Sequence, residues 1–113
     1  MINYGKQSID SSDINAVVDT LKSDWLTQGP KVTEFEKALA GFHEMKHAIV
    51  TSSCTAALHL SLKALGIGPG DEVICPDLTF IAPANMVVLS GAKLVLVDIH
   101  PETLTIDPKI LEE

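Results

Sequence analysis

Ser52, Ser53, Cys54, Thr55 and Ala56 follow the apolar run Ala48-Ile49-Val50 and lead into Ala57-Leu58-His59-Leu60, which reads as the opening of a helix. Small and hydroxylated residues at a strand-to-helix turn leave backbone N–H groups uncovered. Those groups and the positive end of the helix dipole make a seat for a phosphate. The same residues serve equally well as an ordinary Ser/Thr cap with no ligand. Cys54 offers a third chemistry, a nucleophile activated by the helix N-terminus. No histidine is paired with it in the sequence. The phosphatase arrangement of cysteine and arginine is excluded, because all eight basic residues are lysines. A bidentate guanidinium clamp for carboxylate or phosphate cannot come from this chain, on the same ground.

The elements that must hold this turn follow from apolar spacing and caps. Asp10-Ser11-Ser12-Asp13 caps a helix in which Ile14, Val17, Val18 and Leu21 recur on one face. Trp25 to Pro30 reads as a loop, and Val32, Phe35, Leu39 and Phe42 predict a second helix ending between Gly41 and Glu44. A strand over His47 to Thr51, a helix over Thr55 to Leu65 and a turn over Gly66 to Gly70 come next. A strand over Glu72 to Cys75, a helix over Ala82 to Ser90 with Pro83 in its first turn, and a strand over Lys93 to Val97 follow. Asp107-Pro108 predicts a cap and first position of one more helix.

Three short apolar runs separated by helices imply an α/β architecture with parallel strands. Ligands in such sheets bind beyond the C-terminal strand ends. Ser52 to Ala56 and Pro76 to Phe80 are thereby expected on one rim, and two such loops on one edge argue more than either alone.

Bulk properties narrow the function classes. The chain has 113 residues, 46% of them hydrophobic, with a formal net charge of −7. That acidity argues against a nucleic-acid or anionic-membrane surface. Cys54 and Cys75 are too few for a disulfide framework, and neither they nor the four histidines show metal-ligand spacing, so no metal site is expected. No signal-peptide pattern or membrane-length apolar run is present, and a reducing cytoplasm is the default location.

Other candidates reduce to structural parts. His59 reads as a packed or capping residue rather than a catalyst, and His43, His47 and His100 receive no role. Gly66 to Gly70 lacks the Lys-Ser/Thr that a P-loop needs, and is a helix stop. Glu34-Phe35-Glu36-Lys37 and Lys109 to Glu113 are solvated helix faces. Trp25, the single tryptophan, is open to two readings, core anchor or ligand contact.

Taken in order, the motifs resemble a known family. Asp24-Trp25-Leu26-Thr27-Gln28-Gly29-Pro30-Lys31-Val32 with Phe35-Glu36 resembles the N-terminal segment of the DegT-type sugar-nucleotide aminotransferases. Lys46-His47-Ala48, Ser53 to His59, Leu65 to Val73, Pro76 to Asn85, and Gly91-Ala92-Lys93 through Val97-Asp98 continue the likeness collinearly. The resemblance implies a pyridoxal 5′-phosphate enzyme of the fold-type-I transferase fold, a three-layer α/β/α arrangement around a mainly parallel sheet. It implies amino transfer from glutamate to a keto-deoxysugar nucleotide, for a surface polysaccharide or glycan, by homodimers that share residues between active sites.

By the same resemblance, the amides of Thr55 and Ala56 and the Thr55 hydroxyl hold the cofactor phosphate. Phe80 stacks on the pyridine ring. Tyr4, Asp24, Trp25, Leu26 and Thr27, with Cys54, fall at substrate-lining positions. Cys54 stands where most relatives have glycine. A β-carbon restricts any positive φ there, so a slightly rearranged loop is expected.

The family's Schiff-base lysine and the acidic partner of the pyridine nitrogen are expected beyond position 113. None of Lys6, Lys22, Lys31, Lys37, Lys46, Lys63, Lys93 or Lys109 stands in the catalytic-lysine motif. Residues 1–113 are thus expected to comprise an N-terminal segment and the first part of the cofactor-binding large domain, the rest of that domain missing. Such a chain is expected to be catalytically silent on its own. In relatives the first strand of the sheet is separated from the second and third by strands from later in the sequence.

Within the family two signals point apart. Ile2 to Val32 resembles enzymes aminating UDP-4-keto-6-deoxy-N-acetylhexosamines, whereas Pro76 to Pro108 resembles perosamine synthases acting on a GDP sugar. C4 amination is preferred to C3. The alternative from another class is a non-catalytic α/β module that binds a phosphorylated ligand or partner through Ser52 to Ala56.

Overall fold

The structure, a computed structural model, describes residues 5–112. The chain divides into two compact units, Met1–Val50 and Thr51–Glu113.

The first unit is a pair of helices, α1 (Ser11–Leu21) and α2 (Pro30–Phe42). At the start of α1 the Asp10 carboxylate accepts from the Ser12 and Asp13 amides, and Asp13 Oδ2 accepts from the Asp10 amide at 3.0 Å. This reciprocal box satisfies donors that the helix itself leaves open. Pro30 begins α2, where a missing N–H costs nothing. The helix ends with Glu44 N–H on Gly41 O at 3.3 Å and Met45 N–H on Ala40 O at 2.8 Å. That closure puts Glu44 at φ 53°, a conformation glycine usually supplies.

The predicted strand over His47 to Thr51 does not form. A strand is defined by its neighbour, and the neighbours that the resemblance implies arise later in the sequence; none lies among the described residues. The Val50 amide instead donates to Glu36 Oε1 at 3.0 Å.

The second unit contains α3 (Cys54–Ala64), β1 (Glu72–Pro76), α4 (Ile81–Ser90), β2 (Lys93–Val97) and a 3₁₀ turn at Pro108–Glu112. β1 and β2 are parallel, with Glu72 opposite Lys93 and Pro76 opposite Val97, and α4 is the crossover between them. Gly66 stops α3 at φ 74°, as its position predicts, with Ile67 N–H on Leu62 O at 2.9 Å. Pro83 sits in the first turn of α4, where its absent donor is one the helix would leave unpaired anyway. The final helix predicted at Pro108 is the tighter 3₁₀ form, capped by Asp107 Oδ1 accepting from Lys109 N–H at 3.0 Å.

The core of this unit is small: Cys75 from β1, Ala82 and Val87 from α4, and Ala92 just before β2. Ser90 is buried with them, its hydroxyl donating to Val87 O at 2.7 Å and accepting from Ala92 N–H at 3.4 Å. Val87 is 3% exposed, and burial of such a side chain contributes roughly 1.5–3 kcal/mol. A hollow of about 150 Å³ remains where Leu58 and Leu62 face Val73, Pro83 and Met86. α3 and α4 pack together on the sheet face that carries Val73. The α/β class and the parallel pairing therefore match the expectation, on a two-stranded sheet.

Candidate cofactor-phosphate turn and substrate segment

At the head of α3, Ser53 is extended (φ −163°, ψ 159°) and acts as the cap. Its hydroxyl accepts from Ala56 N–H at 3.1 Å. Its carbonyl accepts from Ala57 N–H at 3.0 Å and from the Thr51 hydroxyl at 2.9 Å. Of the four donors at this helix start, those of Cys54 and Thr55 have no hydrogen-bond partner among the described residues, nor has the Thr55 hydroxyl.

A free pair of consecutive amides, a free hydroxyl and a helix dipole suit a phosphate monoester. The residues present therefore fit the phosphate of pyridoxal phosphate. Ala56 joins them only when Ser53 Oγ turns away. Cys54 is the first residue of α3 and is not among the residues with positive φ. Its β-carbon therefore meets no backbone restriction, and the expected rearrangement is not needed. Sequence reading could not tell which of Ser52 and Ser53 caps, because both have the right chemistry and only the turn geometry decides.

Phe80 follows β1 by way of Asp77, whose N–H donates to Val97 O at 3.0 Å across the C-terminal strand ends. It is the cap residue of α4 (φ −66°, ψ 148°) and makes no side-chain capping bond. The ring is 76% exposed, a flat apolar face with no cover among the described residues. No hydrogen bond among the described residues joins the Phe80 loop to the Thr55 turn.

Asp24, Trp25, Leu26 and Thr27 lie in the first unit, in the loop between α1 and α2, and all are exposed. Trp25 at 64% exposure is not a core anchor in that unit. It lines a hollow of about 300 Å³ with Gln28, Gly29, Pro30 and Thr33. Leu26 lines another, of about 370 Å³, with Val17, Thr20, Leu21 and Lys31. Ser23, which sequence reading passed over, holds the loop's start: its hydroxyl donates to Thr20 O at 2.7 Å and accepts from Trp25 N–H at 3.4 Å. A serine two residues before a loop tryptophan is the only signal it offered. Tyr4 lies outside the described residues. Among the described residues no group of three or more His, Cys, Asp or Glu could hold a metal, and no helix is long and apolar enough to cross a membrane.

The sequence pattern of the DegT/DnrJ/EryC1/StrS aminotransferase family matches residues 7–113. The chain belongs to this family. It is 52% identical over 109 residues to the spore coat polysaccharide biosynthesis protein SpsC of Bacillus subtilis (strain 168), covering 96% of this chain and 28% of that protein. It is 46% identical over 107 residues to the UDP-4-amino-4-deoxy-L-arabinose–oxoglutarate aminotransferase of Shewanella sediminis (strain HAW-EB3), covering 95% of this chain and 28% of that one. Among solved structures, the PMP form of Spr1654 from Streptococcus pneumoniae, designated a sugar aminotransferase, superposes with a TM-score of 0.91. That match has 40% identity and covers 98% of this chain and 28% of the other. A PLP form of the same protein superposes equally well. DegT/DnrJ/EryC1/StrS aminotransferases are pyridoxal-phosphate-dependent fold-type-I enzymes, and this chain spans about 28% of the length of these relatives.

Proposed function

We propose that the DegT-family polypeptide carrying this segment transfers an amino group from glutamate to a keto-deoxysugar nucleotide, with C4 as the favoured carbon. The unpartnered amide and hydroxyl of Thr55 at the head of α3 carry this reading, in a chain whose family pattern runs over residues 7–113. The Shewanella sediminis relative, named for a 4-amino-4-deoxy sugar on UDP, supports C4 and a uridine nucleotide. Bacillus subtilis SpsC, named for spore coat polysaccharide, supports a surface-glycan product.

In this reading the Thr55 amide and hydroxyl, with the Ala56 amide once Ser53 Oγ rotates, bind the cofactor's phosphate. Pyridoxal phosphate, when bound, supplies the electron sink and the carrier of the amino group. Phe80 lies flat against the ring, fixes its plane and excludes water from one face, a stacking gain of about 1 kcal/mol. Asp24, Trp25, Leu26 and Thr27, with Tyr4 and Cys54, line the sugar-nucleotide side. No residue of this chain makes or breaks a bond; the proton-moving lysine belongs to later sequence, and the active unit is a homodimer.

Borohydride reduction of the complete polypeptide after incubation with pyridoxal phosphate tests this. The label should fall on a lysine outside these 113 residues. Glutamate should then aminate a 4-keto-6-deoxy sugar nucleotide, UDP and GDP forms being compared. Reversible binding of phosphate compounds with neither label nor transfer would establish the non-catalytic module instead.

A further inference from the structure

Of the seven glycines, Gly29 alone would bring a β-carbon within 3.0 Å of another atom, and that atom belongs to the backbone. A β-carbon built there would lie 2.9 Å from the Trp25 carbonyl oxygen and 3.1 Å from Trp25 Cβ. Gly66, Gly70 and Gly91 are needed for their positive φ, but Gly29 has an ordinary extended backbone (φ −75°, ψ −176°). The position therefore demands closeness, not conformational freedom. It is also buried, whereas its neighbours from Trp25 to Gln28 are exposed. Gln28, at φ 51°, makes the reversal that brings Gly29 back against Trp25. From two residues earlier in the sequence, Ser23 Oγ accepts from the Trp25 N–H at 3.4 Å and also lies 3.3 Å from the Trp25 carbonyl oxygen. Ser23 is itself fixed to the last turn of α1 through Thr20 O.

We infer that Gly29 and Ser23 are positioning residues that together hold the Trp25 main chain, one by close approach and one by a hydrogen bond, and so set the wall that Trp25 presents to the sugar nucleotide. This rests on the reading above in which Trp25 to Thr27 line the substrate site. Because the obstructing atom is a backbone oxygen, a methyl group at position 29 cannot be absorbed by rotating a side chain. The loop itself must move, and Trp25 with it. Ser23 acts by a bond rather than by bulk, so the two residues can be separated experimentally.

The test uses the complete enzyme with UDP-N-acetylglucosamine and GDP-mannose as probes, nucleotide sugars without the keto group and therefore unreactive. Trp25 emission is isolated as the difference from Trp25→Phe. Gly29→Ala should shift Trp25 emission, alter its quenching by acrylamide, and weaken binding of the probe about tenfold. The glutamate half-reaction, which does not use the sugar, should stay within about twofold, a split that general destabilisation would not give. Unchanged emission and probe affinity in Gly29→Ala overturn the inference. Should that variant fail to fold, Ser23→Ala adds no bulk and carries the test: a shifted Trp25 emission supports the inference and an unshifted one overturns it. If Trp25→Ala leaves probe binding intact while Gly29→Ala still shifts the emission, the positioning of Trp25 stands and its place in the substrate wall falls.

Discussion

The Ser53 hydroxyl oxygen takes the Ala56 amide at 3.1 Å, so the residue that caps α3 competes for one of the donors expected to hold a phosphate. Thr55 has no such competitor: its amide and hydroxyl are both unpartnered among the described residues. Thr55→Val should therefore weaken pyridoxal-phosphate retention in the complete enzyme about tenfold, the equivalent of one hydrogen bond to a charged group. Ser53→Ala should lower stability by about 1 kcal/mol through the lost cap, yet leave retention near wild type because it frees the Ala56 amide. Equilibrium dialysis of the cofactor and urea unfolding separate the two effects. A larger retention loss in Ser53→Ala than in Thr55→Val would reverse the assigned roles.

Phe80 gives the opposite balance of stability and binding. With 76% of its surface exposed, the ring contributes little to folding in the absence of cofactor. Phe80→Ala should leave the unfolding midpoint within error and weaken cofactor binding about fivefold, the equivalent of roughly 1 kcal/mol of stacking. Phe80→Tyr should keep both. A Phe80→Ala variant that loses stability but not cofactor would make the ring a core residue of the complete fold.

Signals local to a few residues were legible in the sequence. Asp10 with Asp13 announced the start of α1, Gly66 the end of α3, and Pro83 the first turn of α4, because each acts through its own backbone or one three or four positions away. The parallel sense of β1 and β2 was legible because α4 between them is of crossover length. The strand over His47 to Thr51 was not, since a strand belongs to a pair and its amide at Val50 found a side chain instead. At Glu44 a glutamate adopts the φ that glycine usually fills, so residue type misdirects. In the candidate site, the Ser52 to Ala56 turn could be read but the division of donors between cap and ligand could not. Gly29 read only as part of the loop from Trp25 to Pro30, and its contact with Trp25 exists only in three dimensions.

Acid should loosen the head of α1. The Ser12 hydroxyl, then the amides of Asp13 and Ser12, hold the Asp10 carboxyl below its ordinary value of 3.8. A carboxyl depressed by folding supports the folded state fully above its unfolded value and loses that support as pH falls through its folded value. Amide protection at Ser12 and Asp13 should be constant above the ordinary value and fall below it. Asp10→Asn, a cap that does not titrate in this range, should remove the dependence. Protection that falls on raising the pH from neutrality would contradict the capping role.

Gly91 ends α4 at φ 84°, with Pro69 Cγ only 3.1 Å from where a β-carbon would lie. Gly91→Ala meets both restrictions and should cost about 1–2 kcal/mol from backbone conformation alone, read as a lower urea midpoint. Gly68 is the control. Its φ is ordinary and its nearest obstacle, Ser90 O, is 3.6 Å away, so Gly68→Ala should be close to neutral. Equal losses in both variants would mean that the turn tolerates no side chain anywhere and that Gly91's conformation is not the cause.

The two units leave much apolar surface uncovered: Phe42, Ile49 and Leu65 are 82%, 81% and 77% exposed, against four buried apolar residues among those described. The two-stranded sheet also has both edges open among the described residues, and such edges pair with other chains. Residues 1–113 expressed alone should therefore associate as concentration rises and bind hydrophobic dyes. The net charge of −7 opposes that association. Because salt screens it over about 10 Å at 0.1 M, added sodium chloride should promote association. Sedimentation velocity over a range of protein and salt concentrations reads this directly. A species that stays monomeric throughout and unfolds in one sharp transition would show that these residues find internal cover, and would remove the argument that the fold is completed by other chain.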